Sequence, residues 1–284
     1  MDAPLIVVNV LAAAAVGLAW SFFRRYRLNR PPLGAFNRTD VVIMLVALVT
    51  VPYVYLVLPA WVAATFLGLG VVSVTSAALQ PVIPARAVRW AILATLIGAD
   101  VVLAVTQGAR DSQFLAVNNI VLLCVVVGTA VLWAQGGMKA ADVALLIAGI
   151  TVYDVFATTQ VSVMEDIARR LSSIPFVPFI AWGPPNQGLA VGLGDLLVAA
   201  VFPLVMRKAF GRTAGRVALG TSAGTLVAML TVLYLASSAA LVPAMVVMGP
   251  LMLVQVGWWS SRRRGGERTT WEYLRDEPLP VAAG

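Results

Sequence analysis

Nine apolar stretches recur along the chain, at 4–23, 40–58, 61–80, 88–107, 114–135, 140–160, 187–206, 215–236 and 239–259. Each is close to the roughly 20 residues that a helix needs to cross about 30 Å of hydrocarbon. A soluble domain has no way to bury so many uncharged segments of this length. Composition agrees: 60% of the 284 residues are hydrophobic and 12% charged, well outside globular averages. The pattern predicts an all-α polytopic membrane protein. Residues 1–259 form a single nine-span transmembrane domain, and 260–284 form a polar, Arg-rich tail read as a solvated orientation element. No internal repeat or soluble domain is visible.

The basic residues test the span count, because Lys and Arg favour short cytoplasmic loops. With nine spans and the N-terminus outside, the inner segments hold Arg24, Arg25, Arg27, Arg30, Arg38, Arg86, Arg89, Lys139, Arg207, Lys208, Arg212, Arg216, Arg262, Arg263, Arg264, Arg268 and Arg275, whereas the outer segments hold Arg110, Arg169 and Arg170. An invented or missed span in the middle would scramble this bias. The net charge of +7 therefore reflects topology, with the C-terminus cytoplasmic, and implies no nucleic-acid partner. The first apolar run is preceded by Asp2 and followed by arginines, the reverse of a secretory signal peptide, so it is read as a retained span. The Ala- and Val-rich composition, with no organelle address, points to a prokaryotic cell membrane.

Two absences narrow the chemistry. The chain has no histidine, which removes Ser-His and Cys-His nucleophile pairs and the two-His zinc motif. Its one cysteine, Cys124, cannot form an intramolecular disulfide or a four-Cys metal site. Any catalysis must rest on carboxylates or hydroxyls, and no metal or organic cofactor is implied.

An ionisable side chain inside the bilayer costs at least a few kcal/mol and asks for a reason. Of thirteen acidic residues, Asp100, Asp154 and Asp195 lie well inside spans and Asp142 at a boundary, while no Lys or Arg lies well inside any span. Carboxyl groups in such surroundings suit the holding and passing of protons that acid–base work near neutral pH requires. Spans six and seven run antiparallel, with Asp154 six residues and Asp195 eight residues from their outer ends. At about 1.5 Å per residue, both carboxylates lie roughly 9–12 Å below the outer boundary. Facing each other there, they would share a proton, one activating water and the other polarising a carbonyl. Asp100 has a similar depth on span four, so depth does not select the pair. Local sequence does: Asp195 follows Gly192-Leu193-Gly194, where glycines leave room for a neighbouring backbone, whereas Asp100 in IGADVV has nothing polar nearby. Asn118 and Asn119, near the outer end of span five, are expected to cap or pack. The apolar loop 161–186 is expected to lie on the membrane or against the bundle, and Trp258 and Trp259 to anchor an interface.

At these residues the chain resembles the presenilin and signal peptide peptidase family of intramembrane aspartyl proteases, the GxGD type. That family carries Tyr-Asp on its sixth span, Gly-x-Gly-Asp on its seventh and Pro-Ala-Leu at the start of its ninth. Here the first two are Tyr153-Asp154 and Gly192-Leu193-Gly194-Asp195, the aspartates standing forty-one residues apart. The third is Pro243-Ala244-Met245, where Met replaces Leu with little change in apolar volume. Motif-level similarity covers about residues 150–250.

The resemblance implies a presenilin-like bundle with Asp154 and Asp195 as catalytic dyad. It also implies site-shaping roles for Tyr153, Gly192, Leu193 and Gly194, and a non-helical segment at Pro243, Ala244 and Met245 that exposes backbone groups near the dyad. The expected activity is aspartic endopeptidase cleavage of peptide bonds within transmembrane segments or signal peptides. The N-outside orientation is similar to that of signal peptide peptidase, so the expected substrates enter with their N-termini inside. The reading from a different class is a proton-coupled secondary transporter using buried aspartates; its lack of support is the missing inverted repeat.

Overall fold

The computed structural model describes residues 3–28, 36–108, 111–159, 166–167, 170, 174–183, 188–235, 244–262 and 267–276. Among them are nine long helices: α1 (Ala3–Arg25), α2 (Arg38–Val57), α3 (Ala60–Leu79), α4 (Arg86–Thr106), α5 (Ser112–Gln135), α6 (Ala140–Thr159), α7 (Leu193–Phe210), α8 (Arg212–Leu235) and α9 (Ala244–Arg262). Among the described residues seven of these, α1 to α5, α8 and α9, are long and apolar enough to cross a membrane, the architecture of a multi-pass helical membrane protein. A short helix, α10 (Thr270–Asp276), follows.

Helix ends follow local chemistry. Asn37 caps α2, its Oδ1 accepting from the Thr39 and Asp40 amides while the Asp40 carboxylate accepts from Asn37 N–H at 2.7 Å. Asp111 caps α5 by accepting from Gln113 N–H. Both satisfy first-turn donors that have no intrahelical acceptor.

The apolar segments are used unequally. In α7, thirteen residues from Leu196 to Ala209 are buried, whereas in α2 only Val41 is. Helix α7 is thus the central post, packed by α8, α5, α1, α9 and α6, while α6 leans chiefly on α9 and α2. Between membrane helices there is little hydrophobic gain, so close packing of small residues carries the association. A Cβ on Gly128 would press on Val74 and Ala78 of α3, and one on Gly249 would collide with Thr151 Oγ1 of α6. These two glycines fix the α3–α5 and α6–α9 crossings.

The seventh span begins later than its hydropathy suggests. Residues Leu189–Gly192 form strand β2, paired antiparallel with β1 (Phe179–Trp182) in the register Phe179↔Gly192, Ile180↔Val191, Ala181↔Ala190 and Trp182↔Leu189. A donation from Leu193 N–H to Pro178 O at 2.9 Å continues the pairing to the first residue of α7. The helical bundle therefore contains a small sheet that the all-α expectation lacked. Ile174, Phe176, Val177 and Ile180 are buried, so the described part of the apolar loop packs against the bundle.

At the opposite end the described stretch 267–276 of the tail is docked, in contrast to the solvated element expected. The Glu267 carboxylate accepts from Ala140 N–H, Arg268 N–H donates to Ala209 O, and buried Tyr273 stacks on Phe23 with ring centres 5.5 Å apart. Lys208 is 2% exposed and donates to Ala134 O at 2.8 Å, Met138 O at 2.5 Å and Thr270 Oγ1 at 3.2 Å. Those acceptors answer the cost of burying its ammonium.

Candidate active site

Asp154 stands in the second half of α6 and is partly exposed. Its Oδ2 accepts from the backbone N–H of Met245 at 3.3 Å. Met245 is the second residue of α9, so this amide has no intrahelical acceptor, and the aspartate serves as a remote cap. The contact is held from below by the α6–α9 crossing, where Thr151 Oγ1 donates to Ile147 O at 2.8 Å and meets Met245 O at 3.4 Å. Only glycine at 249 lets the two backbones come this close. Sequence reading passed over Gly249, because it sits inside the proline-bearing PAMVVMGP and has no chemistry of its own.

Asp195 is the third residue of α7, in its first turn, with Gly192 as the N-cap. The expectation placed it eight residues into a helix; the strand before it shortens that distance to one turn. A Cβ on Gly192 would lie 3.6 Å from Asp195 Oδ2, so the carboxyl group folds back over the helix start. Asp154 and Asp195 lie within electrostatic range of one another. Their two helices, and α9, thus converge on one place.

At Gly192 a neighbouring backbone does come close, that of Phe179 in the β1–β2 pair, and a Cβ there would touch only the Asp195 carboxylate. Among the described residues, a Cβ added to Gly194 would meet nothing within 4 Å. Leu193 is partly buried and packs against both the main core and the cluster around Phe176. Tyr153 is partly exposed and lies within electrostatic range of Asp154 and of Tyr53 from α2. Ala244 and Met245 are the first residues of a helix and buried, which corrects the non-helical expectation for them. It is the free amide of the helix start that reaches Asp154. Pro243 lies outside the described residues.

Three polar residues on α4 and α5 hold the sheet in place. Asp100 Oδ2 accepts from Phe176 N–H at 2.9 Å; Phe176 takes φ +61°, a costly conformation for a bulky residue unless its surroundings fix it. Asn118 Nδ2 donates to Val177 O at 3.1 Å and Phe179 O at 3.4 Å. Asn119 pairs with Ala181 in both directions, Nδ2 to Ala181 O at 2.9 Å and Ala181 N–H to Oδ1 at 3.1 Å. The amide of Asn119 imitates a third strand along β1. By the alternation of an antiparallel pair, the backbone groups of Ala190 and Gly192 point to the opposite edge. The packing role expected of Asn118 and Asn119 is the one they have, and Asp100 joins them.

No protein-family model matches the chain, and no curated protein matches it.

Proposed function

We propose that the chain is an intramembrane aspartic endopeptidase of the GxGD type, a nine-span protein of a prokaryotic cell membrane with its N-terminus outside and its C-terminus in the cytoplasm. The observation that carries this reading is the convergence of three separated motifs: Asp154 on α6, Asp195 at the start of α7, and the Met245 amide at the start of α9 bonded to Asp154. Two carboxyl groups so placed share one proton. The ionised one takes a proton from a water molecule while the resulting hydroxide adds to the scissile carbonyl carbon. The protonated one gives its proton to the carbonyl oxygen, and a gem-diol forms. The carboxyl group that took the water proton then gives it to the amide nitrogen while the other carboxylate takes a proton from one gem-diol hydroxyl, so the carbonyl re-forms as the C–N bond breaks, with no covalent enzyme intermediate and the shared proton restored.

Among the described residues nothing lies within 4 Å of a Cβ placed on Gly194, and on this reading that space admits water and an extended chain. A substrate helix hides its scissile amide in its own hydrogen bonds, so it unwinds locally before cleavage. Its exposed backbone pairs by β-strand addition with the β2 edge at Ala190 and Gly192, which leads directly into Asp195, or with the segment near Pro243. Asn118 and Asn119 occupy the other edge of the sheet and so fix which side is available. Substrates on this reading are transmembrane segments and signal peptides.

The test is a panel of transmembrane peptides incubated with purified protein in liposomes, with product masses read directly. New termini inside the apolar segments are expected. Intact peptides, together with proton-coupled solute flux that Asp154→Asn abolishes, would replace this reading with the transporter one.

A further inference from the structure

The end of the bundle away from the dyad carries a groove of about 310 Å³ between α1, α3 and α5, within the size range of small-ligand sites. Its walls are apolar, formed by Leu18, Phe22, Leu79, Leu123 and Val127, and it shares no residue with the dyad or the sheet. Three polar residues, Ser21, Arg25 and Tyr26, also line it, at and just beyond the last turn of α1, where Arg24 and Arg25 are both exposed.

An apolar slot with a cationic rim at a helix end is the complement of one molecule type in a bilayer, a lipid with a hydrocarbon chain and an anionic headgroup. We propose that this groove is a binding site for an anionic phospholipid, with one acyl chain between α1, α3 and α5 and the phosphate on Arg25, assisted by the Ser21 and Tyr26 hydroxyls. Neutral phospholipids fill the slot with the same hydrocarbon but gain nothing from Arg25.

The chain carries its own reporter, since Cys124 lines the groove and is its single cysteine. The full-length protein in nanodiscs of phosphatidylcholine, with and without phosphatidylglycerol, is treated with N-ethylmaleimide, an uncharged probe whose local concentration the surface charge does not alter. Modification of Cys124 is expected to be about fivefold slower with the anionic lipid, the ratio that one membrane-surface cation supports. Arg25→Gln is expected to abolish the ratio and Arg25→Lys to keep most of it. Equal rates for wild type in the two lipids would overturn the proposal, as would a ratio unchanged in Arg25→Gln. The readout is independent of peptide cleavage.

Discussion

Two corners of the molecule use the same device to different ends. At each, an aspartate in the middle of a helix accepts the amide of a residue far away in sequence: Asp100 that of Phe176 at 2.9 Å, Asp154 that of Met245 at 3.3 Å. Asp100 is sealed, 0% exposed, with Oδ1 enclosed and without a hydrogen-bond partner among the described residues. Asp154 is partly exposed and has a second carboxyl group, that of Asp195, in electrostatic range. Placing an acid inside a membrane helix is therefore insufficient for chemistry. The corner proposed to be catalytic differs by access and by a second acid, and the sealed corner uses its carboxylate to hold a strained residue.

The contrast can be broken most severely at the dyad. Asp154→Ala and Asp195→Ala are each expected to lower peptide cleavage by a factor of about 10²–10⁴. The double variant should be no worse than either, since residues acting as one unit are not additive; cleavage rates of the three proteins check this. Next comes the scaffold below Asp154. Gly249→Val forces α9 away from α6 at Thr151 and loosens the Met245 contact, so cleavage should fall together with stability, the latter by about 1–3 kcal/mol, measured by thermal unfolding in nanodiscs.

A smaller effect is expected at the sheet. Asn119→Ala removes both bonds to Ala181 and leaves its buried-side groups unpaired, a cost of about 1–3 kcal/mol. Because the chemical groups stay in place, KM should rise by more than kcat falls. The least is expected at the sealed corner: Asp100→Asn keeps an oxygen to accept the Phe176 amide and should alter melting and cleavage little, whereas Asp100→Leu should cost about 1–3 kcal/mol.

Much of this was legible in the sequence, for physical reasons that also mark where legibility ends. Each helix of the bundle coincides with an apolar run, because a stretch of about 20 uncharged residues has few other fates. The aspartates stood out as expensive residues, and spacing brought Asp154 and Asp195 to one level. The sheet did not stand out. FIAW and LAVG are four-residue apolar runs that periodicity does not separate from buried helix, yet the Gly-Pro-Pro-Asn-Gln-Gly stretch between them is a turn signal. The bonds of Asn118 and Asn119 were invisible because their partners lie 59 to 62 residues away. Gly249 has meaning only against Thr151 on another helix. The docked tail did carry a local clue: Thr269 and Glu272 are spaced as a capping box, and they make its two reciprocal bonds at 2.7 and 3.2 Å.

On the proposed function, Asp154 and Asp195 form one working site and Asp100 stands outside it. The most direct test of this is one transmembrane peptide offered to wild type, Asp100→Asn, Asp154→Asn and Asp195→Asn, each folded in identical nanodiscs, with product masses and rates read side by side. The account predicts cleavage at the same bond by wild type and Asp100→Asn, and none by the other two. Cleavage retained in Asp154→Asn or Asp195→Asn, or lost in a folded Asp100→Asn, would contradict it.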